Sequence, residues 1–298
     1  GVLDYVTAWY LKASKYIQNT KIKVAFVSTN SIVQGEQVGI LWKELFSNYG
    51  IKIHFAHQTF NWSNEAKSNA AVHVVIIGFA QFDSTNKRIF EYENIKSNAH
   101  EKSAKNINAY LVEGDDIVIE KRRKPLCNVL NIIKGNYYAK SEGLIIEEKD
   151  LDYLVKNEPN AKKWIKLLIG ADEFINNRKR YCLWLVDCPP DELRKMPLVM
   201  ERVNRVREDR LKSTDKGMQN LAPIRFRETN NPDKCIVIPV VSSEKRPYIP
   251  IGFIDKNTIS TNGNLIIPNG DLFLFGQLTS LMHMAWVKYT CGRLKSDY

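Results

Sequence analysis

Residues 22–28 read Ile-Lys-Val-Ala-Phe-Val-Ser, a nearly unbroken apolar run that leads into the polar residues Thr29 and Asn30. Such a run predicts a strand buried on both faces, as in parallel sheets that helices cover. Open α/β sheets of this kind bind ligands at the carboxyl ends of their strands. The surrounding stretch, residues 21–79, therefore predicts one edge of a nucleotide-type α/β sheet.

The patterns on either side of this strand complete a strand, helix and hairpin. Apolar residues spaced by three to four predict a helix that opens the chain and a second helix that ends at Gly50, in the left-handed cap position. Further strands are predicted over residues 51–56, 72–79 and 87–93, with a polar hairpin tip at residues 58–67. No glycine-rich turn precedes the first strand and the chain begins with Gly1, so we expect a truncated sheet from a longer protein.

The second half of the chain is organised differently. Residues 96–105, in a polar stretch rich in Asn, Lys and Ser, are predicted to link a first domain at residues 1–95 to a second at residues 106–298. The second domain is predicted to contain helices at 148–157, 161–168 and 198–212, strands at 117–121 and 181–186, an antiparallel meander at 223–275 and a last helix with an apolar stripe from 278 to 289. We therefore expect an α+β domain whose sheet and last helix share one core.

The composition is that of a globular protein with excess positive charge. Apolar residues make up 44% of the 298 residues, and no window approaches the ~18 consecutive apolar residues of a membrane span. The formal net charge of +10 favours a polyanionic partner, and nucleic acid ranks above a membrane because no helix combines a basic face with a bulky apolar one. Five scattered cysteines and five histidines without ligand spacing predict reduced thiols in the cytoplasm and no metal site.

Phe60 and Trp62 are the sharpest local signal, because they lie in the predicted hairpin tip. Large rings at an exposed tip bury little surface and tend to serve a ligand or a partner. Enzymes that modify a DNA base swing it out of the duplex and stack it on an aromatic ring. The alternative, that one ring closes over the hairpin as core, is equally open for each residue.

Several long strings of the sequence match one family. In the first domain they are Leu3-Asp-Tyr5, residues 25–39 (AFVSTNSIVQGEQVG), residues 60–66 (FNWSNEA) and residues 72–79 (VHVVIIGF). In the second they are residues 181–185 (YCLWL), 239–244 (PVVSSE), 248–253 (YIPIGF), 282–286 (MHMAW) and 292–296 (GRLKS). With these strings the chain resembles, over essentially its whole length, the MmeI-like class of type IIG (IIL) restriction–modification proteins.

The resemblance implies a DNA methyltransferase. Members of that family transfer a methyl group from S-adenosylmethionine to adenine N6 in a DNA site, and a target-recognition domain follows their methyltransferase domain. Residues 1–95 would then be the back half of the methyltransferase domain, and residues 106–298 the target-recognition domain on double-stranded DNA. The family's glycine turn, its Asn-Pro-Pro-Tyr/Phe tetrapeptide and its nuclease domain do not occur in these 298 residues, so we expect the polypeptide alone neither to methylate nor to cut DNA.

The match also implies roles for single residues of the first domain. Phe60 or Trp62 corresponds to the aromatic residue that stacks on the flipped adenine. A helix at the start of the chain and the loop after the first strand are expected to border the S-adenosylmethionine pocket, through Leu3, Asp4, Tyr5, Asn30 and Ser31. A structural role stays open for the helix residues, and a simple helix-entry loop explains the loop residues equally well.

DNA contacts are predicted for the second domain, where specific reading needs phosphate contacts and a few side chains at base edges. Arg225 and Arg227 are predicted to project from one side of a strand at residues 223–228. That placement suits reading of a DNA groove, because arginine can pair with guanine O6 and N7. An ordinary solvated strand is the alternative. The same face would include Lys245 and Arg246, and phosphate contacts are predicted for Arg178, Lys179, Arg180, Arg293 and Lys295.

The helix predicted after Pro197 is a weaker candidate for DNA contact, because its outward face mixes acidic and basic residues as solvated surfaces do. Arg207 and Arg210 lie nearer its apolar stripe, and we expect them to pair in the interior with acidic neighbours.

Three functions remain for the sequence. The first is the base-pocket and recognition part of a DNA adenine methyltransferase, working with the rest of its parent chain. The second is a stand-alone DNA-binding specificity module that needs no cofactor. The third, a small-molecule α/β enzyme, has no nucleophile–base set or metal cluster in the sequence to support it.

Overall fold

The computed structural model describes residues 3–62, 72–293 and 297. The chain divides into two compact units: an amino-terminal unit, Gly1–Leu126 with Ala285–Tyr298, and a central unit, Cys127–Met284. No helix in the described ranges has the length and apolar content needed to cross a membrane.

A five-stranded mixed sheet is the centre of the amino-terminal unit. Its elements are α1 (Val6–Tyr16), β1 (Val24–Thr29), a 3-10 turn (Asn30–Val33), α2 (Gly35–Tyr49), β2 (Lys52–Trp62), β3 (Val72–Ala80), β4 (Lys87–Glu91) and β5 (His100–Ala104). The strand order is β1-β3-β2-β4-β5. Because β3 is antiparallel to both β1 and β2, and β4 is parallel to β2, the three strands β1, β2 and β4 end at the same edge of the sheet.

Strand β1 corrects one prediction. It pairs only with β3 among the described residues, and Ala25, Val27 and Thr29 are exposed on one of its faces. The apolar run therefore does not form a strand buried on both faces here. An apolar sequence shows which side chains can be buried. It does not show whether a second layer of helices packs against them.

The core of the amino-terminal unit lies between α1, α2 and the sheet. Tyr10 stacks on Phe79 with ring centroids 5.6 Å apart, and its hydroxyl lies 3.0 Å from Ser28 Oγ. Burial raises the pKa of Tyr10 to about 12. Trp42 is fully buried and donates from Nε1 to the Ile32 carbonyl over 2.9 Å. Gly50 ends α2 with φ of 59°, as predicted for the left-handed cap.

The predicted linker differs from the structure. Residues 100–104, inside the expected linker at 96–105, form β5 and pair antiparallel with β4. The first four residues of β5 are polar and exposed, so no apolar alternation indicated a strand at this sheet edge.

The segment that follows β5 also packs on this unit. Residues 115–121, predicted in part as a strand, form instead an irregular strap along α2 and the start of β2. Lys52 Nζ lies 3.1 Å from Asp116 Oδ2, and Lys43 pairs with Glu120. A Cβ added to Gly39 would lie 2.9 Å from the Ile119 carbonyl oxygen, so only glycine admits the strap this close to α2.

The central unit contains two four-stranded sheets with helices around them. Its elements are β6 (Ile133–Lys134), β7 (Ile145–Glu147), α3 (Glu148–Asn157), β8 (Ile165–Ile169), α4 (Ala171–Asn176), β9 (Arg180–Leu183), α5 (Pro190–Leu193), α6 (Pro197–Leu211), α7 (Lys216–Gln219), β10 (Lys234–Pro239), β11 (Gly252–Asp255), β12 (Thr258–Ser260), β13 (Asn264–Pro268) and α8 (Leu272–Leu278). One sheet, β11-β10-β13-β6, is antiparallel, and the other, β12-β8-β9-β7, is mixed.

The predicted meander is only partly present. Strands β10, β11 and β13 pair antiparallel as expected, but β12 leaves them and pairs parallel with β8. The helix predicted at residues 161–168 is a 3-10 turn, Pro159–Trp164, followed by β8. The isoleucines and leucines of β8 suit a pleated, half-buried surface better than a helix.

Two helices replace the predicted last helix. Helix α8 packs against Ile236 and Ile267 of the antiparallel sheet, and a second helix, α9 (Leu281–Thr290), follows it. Ser280 Oγ accepts a hydrogen bond from the His283 amide over 3.1 Å, which starts the new helix. Met282 is 83% and Trp286 55% exposed, so the stripe predicted as core is largely outside it.

Candidate base pocket and nucleic-acid interface

An aromatic ledge covers the carboxyl ends of β2 and β4 in the amino-terminal unit. The ledge consists of His57, Phe60, Trp62, Phe90 and Tyr92. Phe60 stacks on Tyr92 with centroids 5.1 Å apart, and His57 stacks on Phe90 at 4.1 Å with rings 5° from parallel. A hydrogen bond of 2.8 Å between His57 Nδ1 and the Tyr92 hydroxyl joins the two stacks.

A β-bulge places the rings of the ledge. His57 pairs with Ile76 and Phe60 with Val74, so β2 has one more residue than β3 between these two positions. Burial lowers the pKa of His57 and raises that of Tyr92. Trp62, 44% exposed, lies furthest along β2. The arrangement is a half-exposed aromatic surface that can stack on a planar ligand.

The hairpin tip was predicted to hold both Phe60 and Trp62, and the structure places both on β2 instead. Residues 63–67, the remainder of that tip, lie outside the described residues. The sequence did not indicate His57, Phe90 or Tyr92 as neighbours of Phe60. The parallel pairing of β2 with β4 brings them together, and no local pattern encodes that pairing.

A polar cluster lies at the carboxyl end of β1. Asp4 Oδ2 accepts hydrogen bonds from Ser31 Oγ at 2.6 Å and Gln37 Nε2 at 3.0 Å, and these bonds lower the pKa of Asp4. Asn30 Nδ2 lies 3.5 Å from Oγ1 of Thr59, the residue that precedes Phe60 in β2. The predicted cofactor-side residues Asp4, Asn30 and Ser31 are thus on the same edge of the sheet as the ledge.

Leu3, Asp4 and Tyr5 precede α1 rather than lie within it, and Tyr5 is its N-cap residue. Leu3 is 40% and Tyr5 80% exposed, so these side chains form one open wall and not an enclosed pocket.

Two of the three cations predicted for phosphate contact at residues 178–180 are paired with acids. Arg178 lies 2.8 Å from Asp172, and Arg180 lies 3.0 Å from Glu173. Lys179 is exposed. An open cavity of about 760 Å³ adjoins them in the central unit, with Lys234 and also Asp233, Asp255 and Glu173 in its lining. The local charge there is mixed, which weakens the attraction for phosphate.

Residues 223–228 are a loop, which corrects the strand predicted for Arg225 and Arg227. Phe226 is buried in the core of the central unit. The Arg225 guanidinium donates to the carbonyls of Phe226 and Arg227 over 3.2 and 3.1 Å. Arg227 is exposed and lies 3.9 Å from Glu228. The two arginines therefore do not project side by side from a sheet.

Arg210 is buried beneath this loop and bonds to it and to the residues just before it. Its guanidinium, 1% exposed, donates to the carbonyls of Lys140, Leu221, Ala222 and Arg225 and to Ser141 Oγ. No acidic side chain bonds to it within the described ranges, so the predicted pairing with acids is wrong for Arg210. Desolvation, followed by the charge of Arg225, lowers its pKa. Arg207 is exposed and not interior.

The remaining predicted cations lie on turns and helix ends. Lys245 is exposed and Arg246 half-buried in a turn closed by the Arg246 amide and the Ser243 carbonyl, 3.0 Å apart. Arg293 donates to the Lys288 carbonyl at the end of α9 over 3.1 Å. Lys295 lies outside the described residues.

A basic run that those predictions omit is Lys121-Arg-Arg-Lys124. All four residues are exposed. Four consecutive cations are a sequence signal for polyanion binding, although an unspecific one. Across the described residues no group of His, Cys, Asp and Glu side chains has the arrangement of a metal site.

Comparisons with known proteins agree with both parts of this picture. Residues 1–91 match the family model described as "MmeI, DNA-methyltransferase domain", and residues 113–298 match the one described as "MmeI, target recognition domain".

Two relatives are similar over the whole chain. DNA methyltransferase A of Bacillus subtilis (strain 168) is 43% identical over 301 residues, which cover 100% of this chain and 33% of that protein. The solved structure of the type IIL restriction-modification enzyme MmeI in complex with DNA is 46% identical and superposes with a TM-score of 0.86, over 99% of this chain and 40% of that one. The chain thus spans well under half the length of either relative.

Proposed function

The chain belongs to the MmeI family, and we propose that it supplies the base pocket and the target recognition of a site-specific DNA adenine-N6 methyltransferase. The family model for the target recognition domain alone matches residues 113–298, so the resemblance stated from the sequence is confirmed. The observation that supports the proposed reaction best is the aromatic ledge next to the polar cluster at the carboxyl end of β1.

In this proposal the ledge receives the flipped adenine. Tyr92 covers one side of the Phe60 ring, with the two ring centroids 5.1 Å apart. The base would therefore stack on the other side of Phe60 or on the exposed ring of Trp62. Stacking of a base on an aromatic ring contributes about 1–3 kcal/mol, which offsets part of the few kcal/mol that unstacking from the duplex costs.

S-adenosylmethionine is the proposed methyl donor for the parent protein. When bound, it supplies an electrophilic methyl group. Asp4 and Ser31, with the exposed Leu3 and Tyr5, fit one wall of a site for its polar and apolar parts. Asn30 would border the same site. Because one open wall holds a ligand weakly and no Asn-Pro-Pro-aromatic tetrapeptide occurs in the sequence, we propose that this polypeptide alone binds the donor poorly and transfers no methyl group.

The central unit is proposed to read the DNA site. The supporting observation is its match to a target recognition domain and to a structure described as a complex with DNA. Candidate contacts are Lys179, Arg227, Lys245 and Arg246, with weaker roles for Arg178, Arg180 and Arg225, whose guanidinium groups already have protein partners. Arg293 and Lys295 are kept as candidates for phosphates. We propose that the protein acts in the cytoplasm. Its proposed partners are double-stranded DNA and the rest of its parent chain.

The test is methylation by the complete protein that contains this chain. Phe60→Ala and Trp62→Ala are each compared with Trp286→Ala, which removes a similarly exposed tryptophan from α9. Transfer of labelled methyl groups to DNA and DNA affinity are measured for each.

We expect at least one ledge variant to lose methyl transfer while keeping its DNA affinity, and the α9 variant to keep both. Full methyl transfer by both ledge variants would remove the stacking role. DNA binding by the complete protein without any methyl transfer would favour a recognition module that lacks catalysis.

A further inference from the structure

Among the described residues, only one member of the basic run Lys121-Arg-Arg-Lys124 has an acidic partner. Lys121 pairs with Glu36. In the described part of the chain Arg122, Arg123 and Lys124 have no ion pair, and all three are exposed. By contrast, Arg178 and Arg180 each lie within 3.0 Å of a carboxylate. The full charge of three consecutive cations is therefore available to a polyanion.

The strap holds this run in place. Lys52–Asp116, Lys43–Glu120 and Lys121–Glu36 pair residues of the strap with α2 and with the start of β2. The Ile119 amide donates to the Tyr110 hydroxyl over 3.1 Å, and the contact at Gly39 fixes the distance of the strap from α2. The cations thus follow directly on an anchored segment, which reduces the ordering entropy that phosphate contact would cost.

We propose that Arg122, Arg123 and Lys124 form a phosphate-binding segment that contacts the DNA backbone from the amino-terminal unit. This inference rests on the proposed function, since it takes double-stranded DNA as the ligand. Neutral side chains follow at residues 125–132, so the positive charge is local. Phosphate contacts fix the orientation of a protein on the duplex and carry no sequence information, which suits exposed cations near the start of the stretch that matches the target recognition domain model.

The experiment measures DNA affinity as a function of salt for the complete protein. A fluorescently labelled duplex of mixed sequence is titrated over a series of NaCl concentrations. The test variant is R122Q/R123Q/K124Q, and R122K/R123K keeps the charge. A matched control, K12Q/K15Q/K21Q, removes three exposed lysines of the same unit that have no ion pair in the described residues.

Each phosphate contact adds about 0.9 to the slope of log K against log salt, so the test variant should lose ~2–3 units of slope. The charge-preserving variant and the lysine control should keep the slope of the unchanged protein. An unchanged slope in the test variant, or an equal loss in the lysine control, would overturn the segment while leaving DNA binding intact. Absence of salt-dependent binding by the unchanged protein would instead reject the proposed function.

Discussion

Replacement of Arg210 by methionine is expected to release the loop that carries Arg225 and Arg227. The Arg210 side chain is 1% exposed and donates five hydrogen bonds of 2.5 to 3.2 Å, four of them to backbone carbonyls. Methionine keeps the apolar stem but leaves those carbonyls and Ser141 Oγ without this donor.

The expected loss in the free energy of unfolding follows from the number of hydrogen bonds that the substitution removes. A hydrogen bond to a charged group contributes about 1.5–3 kcal/mol, but bonds within one network do not add fully. A buried carbonyl left without a donor costs about 1–3 kcal/mol, and with four carbonyls affected and incomplete additivity we expect the free energy of unfolding to fall by about 3–5 kcal/mol. With a denaturant slope of roughly 3 kcal/mol per molar urea, the midpoint should fall by about 1–1.7 M.

The assay is urea unfolding of the chain followed by circular dichroism, with hydrogen exchange of residues 221–227 as a local probe. Arg207→Met, on the exposed side of the same helix, is the control and should change stability by no more than about 0.5 kcal/mol. Equal midpoints and equal exchange in the two variants would refute the argument that Arg210 organises the loop.

Two further predictions concern the amino-terminal unit. Gly39→Ala should lower stability by about 1–3 kcal/mol, because the added Cβ meets the Ile119 carbonyl oxygen at 2.9 Å. The control Gly276→Ala in α8, where no atom lies within 4 Å of the added Cβ, should be neutral or stabilising by up to ~1 kcal/mol. Thermal unfolding measures both, and unchanged stability of Gly39→Ala would contradict the close approach of the strap to α2. The pKa of Asp4 is lowered by its bonds to Ser31 and Gln37, so its contribution to stability is present above its ordinary pKa and is lost as pH falls through the lowered value. The difference in melting temperature between the unchanged chain and Asp4→Asn should therefore shrink between neutral pH and about pH 3, and a constant difference would contradict that bond pattern.

Local sequence patterns predicted the elements whose neighbours are close in the chain. The order strand, helix, hairpin across residues 21–79, the cap at Gly50 and α3 at Glu148–Asn157 all occur in the structure. Each depends on apolar periodicity or on a backbone conformation that one residue type favours. Proline at the start of α6 is likewise found at the first helical position.

Contacts between distant residues account for the errors. Residues 223–228 alternate like a strand in sequence, but they form a loop, and the carbonyls of Leu221, Ala222 and Arg225 accept hydrogen bonds from Arg210 rather than from a neighbouring strand. The ledge needs β4 to pair parallel with β2, which places Tyr92 on Phe60. The net charge of +10 did not show which cations are neutralised, since that depends on acids brought near by folding, as Asp172 is to Arg178.

We propose that the complete protein containing this chain methylates adenine in DNA. Mass spectrometry of nucleosides from DNA treated with the complete protein and S-adenosylmethionine tests it most directly. The account predicts N6-methyladenine as the product, lost when Phe60 and Trp62 are both replaced by alanine. A methylated cytosine, or N6-methyladenine at full yield from the double variant, would contradict it.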